Sequence, residues 1–440
     1  MSNQPPRYTP AGWGSTTLGQ VSECILGGTP STDVPQFWGG DVPWMASGDV
    51  HLRRINDVPG RITAHGLRSS NATLTSPPAV AVGLAGQGKT RGTVALTLCT
   101  LSTNQSIALL KANGSDLCTD YLFHNLDRRY EELRARSSGG GRGGLSKSIL
   151  EAVPIELPPL REQQKIAQIL DTLDIVIHET KTIIAKLTAV KLGLLHDLLT
   201  RGIDASGGLR PPQTEAPDLY KKTDQGWIPL GWDIRPLSEY TSSEITYGIV
   251  QAGPHVPNGV PYIRTGDMSG DSLSREAMLC TSRRIASSYA RSEVRTGDIV
   301  MAIRATVGKV LPVPSDLDGA NLTQGTAKVS PNARTDGAFL LWAIRHSRSQ
   351  QAIQLQIKGT TFAEITLGAL RQVPIAAPVE INEQREIGKR LAAIDMQLQS
   401  EQQYLAKAQA KKSGLMDDLL TGRIRVTPLL AEPVQQKGSA

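Results

Sequence analysis

The sequence predicts an α/β (α+β) protein built as a pseudo-twofold internal repeat: two mixed α/β globular domains separated by two long antiparallel coiled-coil helices. The first observation is that Glu162–Ile203 and Glu383–Ile424 align without a gap at a constant offset of 221 residues (Glu162 to Glu383, Ile203 to Ile424). A long ungapped repeat signals a duplicated architecture. The second is apolar spacing close to 3.5 in both copies, the signature of a helix that buries a narrow seam against another helix. The third is that the segments before the two helices also correspond, each rich in short β-forming runs and turn residues.

Each repeat reads as one helix. In the first, Ile166, Leu173, Leu187 and Leu194 share one heptad position, and Leu170, Ile177, Ile184 and Leu198 share the position four later. In the second, Ile387, Ile394 and Leu415 occupy the former position, and Leu391, Leu398, Leu405 and Leu419 the latter. Prolines stand before both helices (Pro158 and Pro159; Pro378) and end the preceding segment. Gly202 and Gly422 mark the stops. At ~1.5 Å per residue, such a helix is a rod roughly 60 Å long. The seam is broken at Thr180 and Glu401, and again at Lys191 and Lys412. Parallel pairing in register would bring the two lysines face to face. Antiparallel pairing is expected to set each against an apolar residue, its ammonium reaching for solvent. The ungapped repeat argues against two unrelated surface helices.

In the segments before the helices, Gly12-Trp13 then Leu18 matches Gly231-Trp232 then Leu237, and Val42–Asp49 matches Val260–Asp267. Apolar runs follow at Ala79–Leu84 and Asp298–Ile303, each leading into a glycine-containing turn. Next come Asn104-Gln105 and Thr323-Gln324, then a helix announced by Thr119-Asp120 or Thr335-Asp336, good N-capping residues. A glycine-bearing loop (from Ser137; from Lys358) and a short strand at Val153–Ile155 or Val373–Ile375 close each half. The expected layout is a first domain over 1–158, a helix over 159–203, a Pro/Gly-rich linker over 204–226, a second domain over 227–377, a helix over 378–424 and a polar tail over 425–440. The domains have diverged more than the helices. That suits helices that meet one partner twice and heads that read different things.

At 440 residues the chain is too long for one ordinary core. It has no apolar run of membrane-spanning length and no basic-then-apolar leader, which leads us to expect a soluble, unexported, cytoplasmic protein. Cys24, Cys99, Cys118 and Cys280 have neither CxxC spacing nor a nearby histidine cluster, and read as reduced, buried residues rather than metal ligands. The net charge of +6 leans toward a polyanionic partner.

One stretch imitates a nucleotide-binding loop. Gly83–Thr90 satisfies the P-loop pattern after an apolar run, but phosphate binding needs a helix beginning at the lysine. Here glycine and β-formers follow (Arg91–Leu96), which read as the return strand of a hairpin, and the second half has Arg304–Lys309 in the corresponding place. There is no HExxH, zinc spacing or GxSxG elbow, no glycine-rich S-adenosylmethionine motif and no Asn/Asp-Pro-Pro-aromatic motif. Asp49 and Asp267 read as turn formers, and no catalytic or metal-binding residue is assigned. Candidates for DNA contact are Ser47, Gln87, Lys89, Arg91, Asn104, Gln105, Arg142 and Lys147 in the first half, and Arg264, Arg304, Lys309, Gln324, Lys358 and Thr360 in the second. Arg, Asn and Gln can pair with base edges, whereas Lys and Thr more often hold phosphates.

Pro158-Pro159-Leu160-Arg161-Glu162-Gln163 leading into a helix that ends Leu-Leu-Thr-Arg-Gly-Ile strongly resembles the specificity subunit of type I restriction–modification enzymes. So do the start of the second half at Thr223–Tyr240 and the repeat at Glu383-Gln384. The likeness covers essentially the whole chain, although Pro378–Asn382 replaces the Pro-Pro-Leu-Arg lead in the second copy. The resemblance implies two target-recognition domains, each reading half of a bipartite, asymmetric DNA site. It also implies that the helices act as spacer and recruit two methylating subunits, alongside two ATP-dependent restriction/translocation subunits. S-adenosylmethionine, ATP and Mg are then expected on those partners, with no cofactor on this chain, which is non-catalytic by itself within an adenine-N6 methyltransferase. The alternatives are a helix-mediated scaffold or decoy that does not read DNA, and a P-loop NTPase.

Overall fold

A computed structural model describes residues 9–86, 88–136, 144–276, 278–359 and 363–430. The chain divides into two compact units, one of Met1–Lys181 with Gln403–Ala440, the other of Thr182–Gln402. Each contains one globular head, the beginning of the long helix that follows it, and the end of the other long helix.

The strands of the first head are β1 (Gly14–Thr17), β2 (Ser22–Leu26), β3 (Trp38–Met45), β4 (Arg54–Ile55), β5 (Arg61–Ile62), β6 (Ala79–Gly83), β7 (Val94–Thr97), β8 (Ser102–Thr103), β9 (Ile107–Ala112) and β10 (Pro154–Leu157). The main sheet runs β2-β9-β6-β7-β4, antiparallel except between β7 and β4. A smaller sheet, β5-β3-β8, pairs β3 with β8 in parallel. β6 is apolar on both faces because both are covered. Val80 and Val82 pack with Tyr121, Leu122, Phe123 and Leu126 of the helix Thr119–Arg128. Ala79 and Ala81 pack with Met45, Val50, Ile55 and Leu101.

The second head repeats this topology. Its strands are β11 (Tyr220–Thr223), β12 (Gly226–Pro229), β13 (Trp232–Pro236), β14 (Thr246–Tyr247), β15 (Val260–Ile263), β16 (Cys280–Thr281), β17 (Ile299–Ala302), β18 (Val310–Pro312), β19 (Asn321–Leu322), β20 (Thr326–Val329) and β21 (Pro374–Pro378). The order β14-β20-β17-β18 copies β2-β9-β6-β7, and β16-β15-β19 copies β5-β3-β8, again with one parallel pair. Ile299 and Met301 face Phe339, Leu340 and Ile344 of the helix Gly337–Arg345, while Val300 and Ala302 face Ile263, Met268 and Leu322. The stretch 204–226 is more than a linker, since it carries β11, which pairs with β12 and buries Tyr220. At the other end of the chain, Arg425 and Val426 belong to the packed part of their unit.

The long helices span Leu160–Thr200 and Ile381–Leu419. Each stops where predicted, at glycines with φ of +65° (Gly202) and +69° (Gly422). All fifteen seam residues are buried or half-buried, with Ile166, Leu170, Ile387 and Leu391 fully so. Within each unit the two helix segments run antiparallel. In the first, Glu162 meets Arg425 and Asp174 meets Lys412; in the second, Lys191 meets Asp395 and Ile203 meets Glu383.

The lysines correct one expectation. Each meets an aspartate, not an apolar residue, on the opposite helix. Lys412 donates to Asp174 (2.5 Å) and Lys191 to Asp395 (2.5 Å), the same pair formed once in each unit. The register puts an aspartate of the opposite helix under each ammonium, so the charge is neutralised in place rather than extended to water. Lys412 is only 7% exposed. At the first head's helix the cap also differs from expectation. Cys118 rather than Thr119 is the N-cap, and its amide donates to Gln163 Oε1 (2.8 Å); Asp336 caps the counterpart with its own carboxylate.

The Glu-Gln pair that opens each helix explains its own repetition. Glu162 accepts two bonds from Arg425 (both 2.8 Å) and one from Trp13 Nε1 (3.3 Å). Glu383 accepts from Arg210 (2.5 and 2.9 Å), Trp232 Nε1 (3.0 Å) and the Ile203 amide (3.1 Å). Gln163 bridges the Cys118 amide to the carbonyls of Asp116 and Pro158; Gln384 bridges the Asp336 amide to those of Arg334 and Pro378.

Two stability predictions follow from these pairs. Lys412→Ala leaves Asp174 without its cation and is expected to cost about 3 kcal/mol, measured by urea unfolding of the full chain. Burial would raise the Glu162 carboxyl, but the Arg425 guanidinium and Trp13 outweigh it and hold it below its usual 4.5. Its contribution is therefore complete above pH 4.5 and is lost as the pH falls through the lower folded value. Thermal unfolding between pH 6 and 3 should show a steeper acid decline in the wild type than in Glu162→Gln.

Candidate nucleic-acid interface

At one end of each head the strand-connecting loops converge. In the first head, the Asn104 amide donates to the Met45 carbonyl (3.0 Å), joining the turn after β8 to the one after β3. The Leu84 amide donates to Ser106 O and the Leu145 amide to Leu84 O, bringing the β6–β7 connection and the residues before Lys147 to the same place. Ser47 begins the short helix Ser47–Leu52 after β3. Gln105 and Thr29 are bonded through their side chains. The structure thus brings together Ser47, Asn104 and Gln105, beside the loop that carries Lys89 and Arg91. Asn104 uses its Oδ1 to hold the Ser106 amide, so part of its bonding capacity is structural. Lys89 is exposed, and Lys147 lies 3.7 Å from Glu151 on the helix Lys147–Glu151. Gln87 and Arg142 lie outside the described residues.

The second head repeats the convergence. The Thr323 amide donates to Ile263 O, the Ile303 amide to Gly325 O, and the Ala305 amide to Ala363 O. Arg304 and Lys358 both bridge to Glu364 through the backbone. Arg264, Arg304, Gln324 and Lys358 therefore share one end of the sheet. Lys309 stands on the same connection as Arg304, with its ammonium 3.3 Å from Ser269 O and 3.9 Å from Asp271. Thr360 lies outside the described residues.

The electrostatics separate the basic residues by availability. Arg264 is held by both oxygens of Asp267 (2.7 and 3.0 Å), which raises its pKa further, and Asp267 also accepts from the Arg264 amide. Asp49 does the same for the Ala46 amide (2.8 Å), so both aspartates are turn formers. Arg304 forms a half-exposed pair with Glu364 (3.1 Å). A fork already engaged by a carboxylate must give that bond up before it can take two acceptors on a guanine.

The apparent P-loop is a hairpin. β7 returns antiparallel to β6, with the Gly92 amide on Gly83 O and the Gly83 amide on Thr93 O (both 2.9 Å). A strand stands where a phosphate-binding helix would have to begin. Among the described residues His124, Asp171 and Asp174 have the proximity of metal ligands. Asp171, however, bonds His124 and Arg54, and Asp174 bonds Lys412, so cations of the protein already occupy the carboxylates. Of the cysteines only Cys24 is buried, and burial pushes its thiol up to about 11; the other three are half-buried.

Sequence reasoning missed several residues of this region. Arg53, at φ +65°, ends the Ser47–Leu52 helix and grips Asp127 through both oxygens (2.7 and 2.9 Å). His51 reaches Thr90 (3.3 Å), and Glu364 faces Arg304. These are tertiary contacts across tens of residues, with no local pattern to announce them.

The chain matches the family described as type I restriction modification DNA specificity domain over residues 10–189 and 232–410, once for each half. It belongs to that family. This specificity subunit is 24% identical over 437 residues to the type I restriction enzyme MjaVIII specificity subunit of Methanocaldococcus jannaschii, covering 96% of this chain and 95% of that one. It is 23% identical over 329 residues to the type I restriction enzyme EcoBI specificity subunit of Escherichia coli, covering 73% and 68%. The fold matches the crystal structure of the S subunit of a type I restriction-modification system from M. genitalium, with a TM-score of 0.63 at 14% identity over 95% of this chain and 98% of that one. DNA sequence recognition is thus the activity of the family to which the chain belongs. Among the described residues no helix is long and apolar enough to cross a membrane.

If the loop end of the second head faces DNA, Glu364→Gln should release Arg304 to the phosphates. Affinity for random duplex should rise, and the salt slope steepen by about one. Fluorescence anisotropy over a salt series checks this, and an unchanged slope places Arg304 away from the duplex.

Proposed function

We propose that each head reads one half of a bipartite, asymmetric DNA site, and that the paired long helices fix the unread gap between the halves. The observation that carries this is the duplicated loop end: the same topology and the same loop-to-loop hydrogen bonds, furnished with different side chains. Ala46-Ser47, Lys89, Thr93 and Asn104 stand where the second head has Arg264-Thr265, Ala305, Lys309 and Thr323, with a glutamine kept at Gln105 and Gln324, so one scaffold presents two chemistries. Direct readout needs such a change of donors and acceptors at fixed backbone positions.

The helices support the rest. Their seams are apolar and locked by a lysine–aspartate pair in each unit, and they leave Ile175, Val190, Leu192, Met396 and Tyr404 exposed. Exposed apolar residues on a duplicated scaffold suit a partner that docks twice. On this reading the partners are two methylating subunits, joined by two restriction/translocation subunits, all acting on double-stranded DNA in the cytoplasm. S-adenosylmethionine, ATP and Mg act on those subunits, and this chain is the non-catalytic reader of an adenine-N6 methylating complex.

Rigid two-headed readers bind half-sites at a set separation and phase. Inserting one heptad into both long helices is therefore expected to lengthen the unread gap while leaving both half-site sequences intact. Mapping methylated adenines in cells carrying the variant measures this directly; an unchanged gap rules out the helices as the spacer.

A further inference from the structure

The β6–β7 and β17–β18 hairpins are built on one plan. In the first head the Gly92 amide donates to Gly83 O, the Gly83 amide to Thr93 O and the Thr93 amide to Thr90 O (3.0 Å). In the second the Gly308 amide donates to Ala302 O (3.1 Å), the Ala302 amide to Lys309 O (2.8 Å) and the Lys309 amide to Thr306 O (3.2 Å). The structure therefore aligns Thr90-Arg91-Gly92-Thr93 with Thr306-Val307-Gly308-Lys309. Gly92 (φ +83°) and Gly308 (φ +93°) take the left-handed position that such a turn reserves for glycine.

Behind each of these glycines lies a long polar side chain from the helix that follows Thr119–Arg128 or Gly337–Arg345. A Cβ on Gly92 would come within 3.1 Å of Arg134 Cγ, and one on Gly308 within 2.6 Å of Gln350 Oε1. Arg134, on the helix Tyr130–Ala135, donates to Gly88 O (2.5 Å) and to Tyr130 Oη (2.9 Å), and Tyr130 Oη donates to Lys89 O (3.3 Å). Gln350, on the helix Ser347–Leu355, donates through Nε2 to Gly308 O (3.1 Å) and to Ile344 O (2.8 Å). Neighbouring Arg345 secures Val310 O (2.9 Å). The carbonyls held in this way belong to the hairpins that carry Lys89 and Arg91 in one head and Arg304 and Lys309 in the other.

We infer that Arg134, with Tyr130, and Gln350 are positioning residues for sequence readout, each holding from behind the hairpin that its own head offers to DNA. This rests on the reading that the two heads recognise separate half-sites. Base discrimination depends on a donor meeting base-edge acceptors at hydrogen-bond distance. A hairpin whose carbonyls are released can still lay its cations against phosphates, but it no longer presents one register to the bases. Loss of either support therefore blunts selectivity in one half-site and leaves the other half-site untouched.

The test uses the full chain assembled with its methylating partner, with methylated adenines mapped on a randomised duplex library and thermal unfolding measured in parallel. Arg134→Ala is expected to relax base preference in one half-site about tenfold, and Arg134→Lys, which keeps a donor, to retain it. Gln350→Glu, which keeps the length but replaces the amide donor with an acceptor, should relax the opposite half-site to a similar degree. If Arg134→Ala unfolds, Tyr130→Phe, which removes the bond to the Lys89 carbonyl, takes its place. Selectivity unchanged in both halves, or reduced equally in both, overturns the inference while the wild-type bipartite map still stands. A wild type that yields no two-part site removes the underlying reading, and this inference with it.

Discussion

Each unit depends on a carboxylate at the start of its long helix, buried in Glu162 and half-buried in Glu383. Glu162 and Glu383 are each shared between a tryptophan near the first strand of the head and an arginine that follows the end of the other long helix. Three chain segments distant in sequence therefore meet on one side chain. Bidentate arginine–carboxylate pairs fix direction as well as distance, and the indole N–H supplies a further donor to the same carboxylate. The adjacent glutamine completes the joint. It bridges the amide at the entry of the head's helix to the carbonyl of the proline (Pro158 or Pro378) just before the long helix. Head and helix are consequently one mechanical piece within each unit.

The residues that make these joints are identical between the two halves. Glu162/Glu383 and Gln163/Gln384 join head to helix, and Asp174/Asp395 neutralise Lys412/Lys191. The aspartate–lysine pair also explains how two apolar seams are confined to one register. A leucine seam tolerates sliding, whereas an ammonium with little access to water has one acceptable partner. In the first unit the same lysine lies 4.0 Å from Asp127, whose carboxyl burial would raise but which Arg53 and Lys412 hold low. Through Asp127 the network reaches Arg53, at the end of the short helix that begins with Ser47. The loop end of the first head is thus tied to the helix segments by charge as well as by packing.

Period and repetition were legible in the sequence, and contacts were not. The helices, their glycine stops, the seam residues and the doubled order of strands follow from spacing that any helix or sheet must obey. Pro158-Pro159 and Gly202 needed no tertiary context to be read. The lysines did: heptad position says which face Lys412 lies on, but only the register says that Asp174 lies opposite. The loop ends were legible as loops and as basic or amide-bearing stretches. That Asp267 consumes the fork of Arg264, or that Asn104 spends its carbonyl on Ser106, depends on backbone turns three-dimensional in origin. The hairpin in place of a P-loop was readable because β-formers follow Lys89, and the chain there obeys local propensity.

The two heads also differ in how they manage positive charge, and this difference bears on specificity more than the total of +6 does. In the second head the arginines most suited to base recognition stand beside carboxylates, Arg264 with Asp267 and Arg304 with Glu364. In the first, Lys89 projects from an exposed turn whose backbone, rather than its ammonium, is tethered. A guanidinium paired in the free protein binds random phosphates weakly, because that contact must first displace the carboxylate. It gains most where a base offers two well-placed acceptors. An unpaired lysine gains nearly the same from any phosphate. On the reading proposed above, the second head holds its arginines against carboxylates until a base displaces them, whereas the first presents its lysine on a turn whose carbonyls are held from behind.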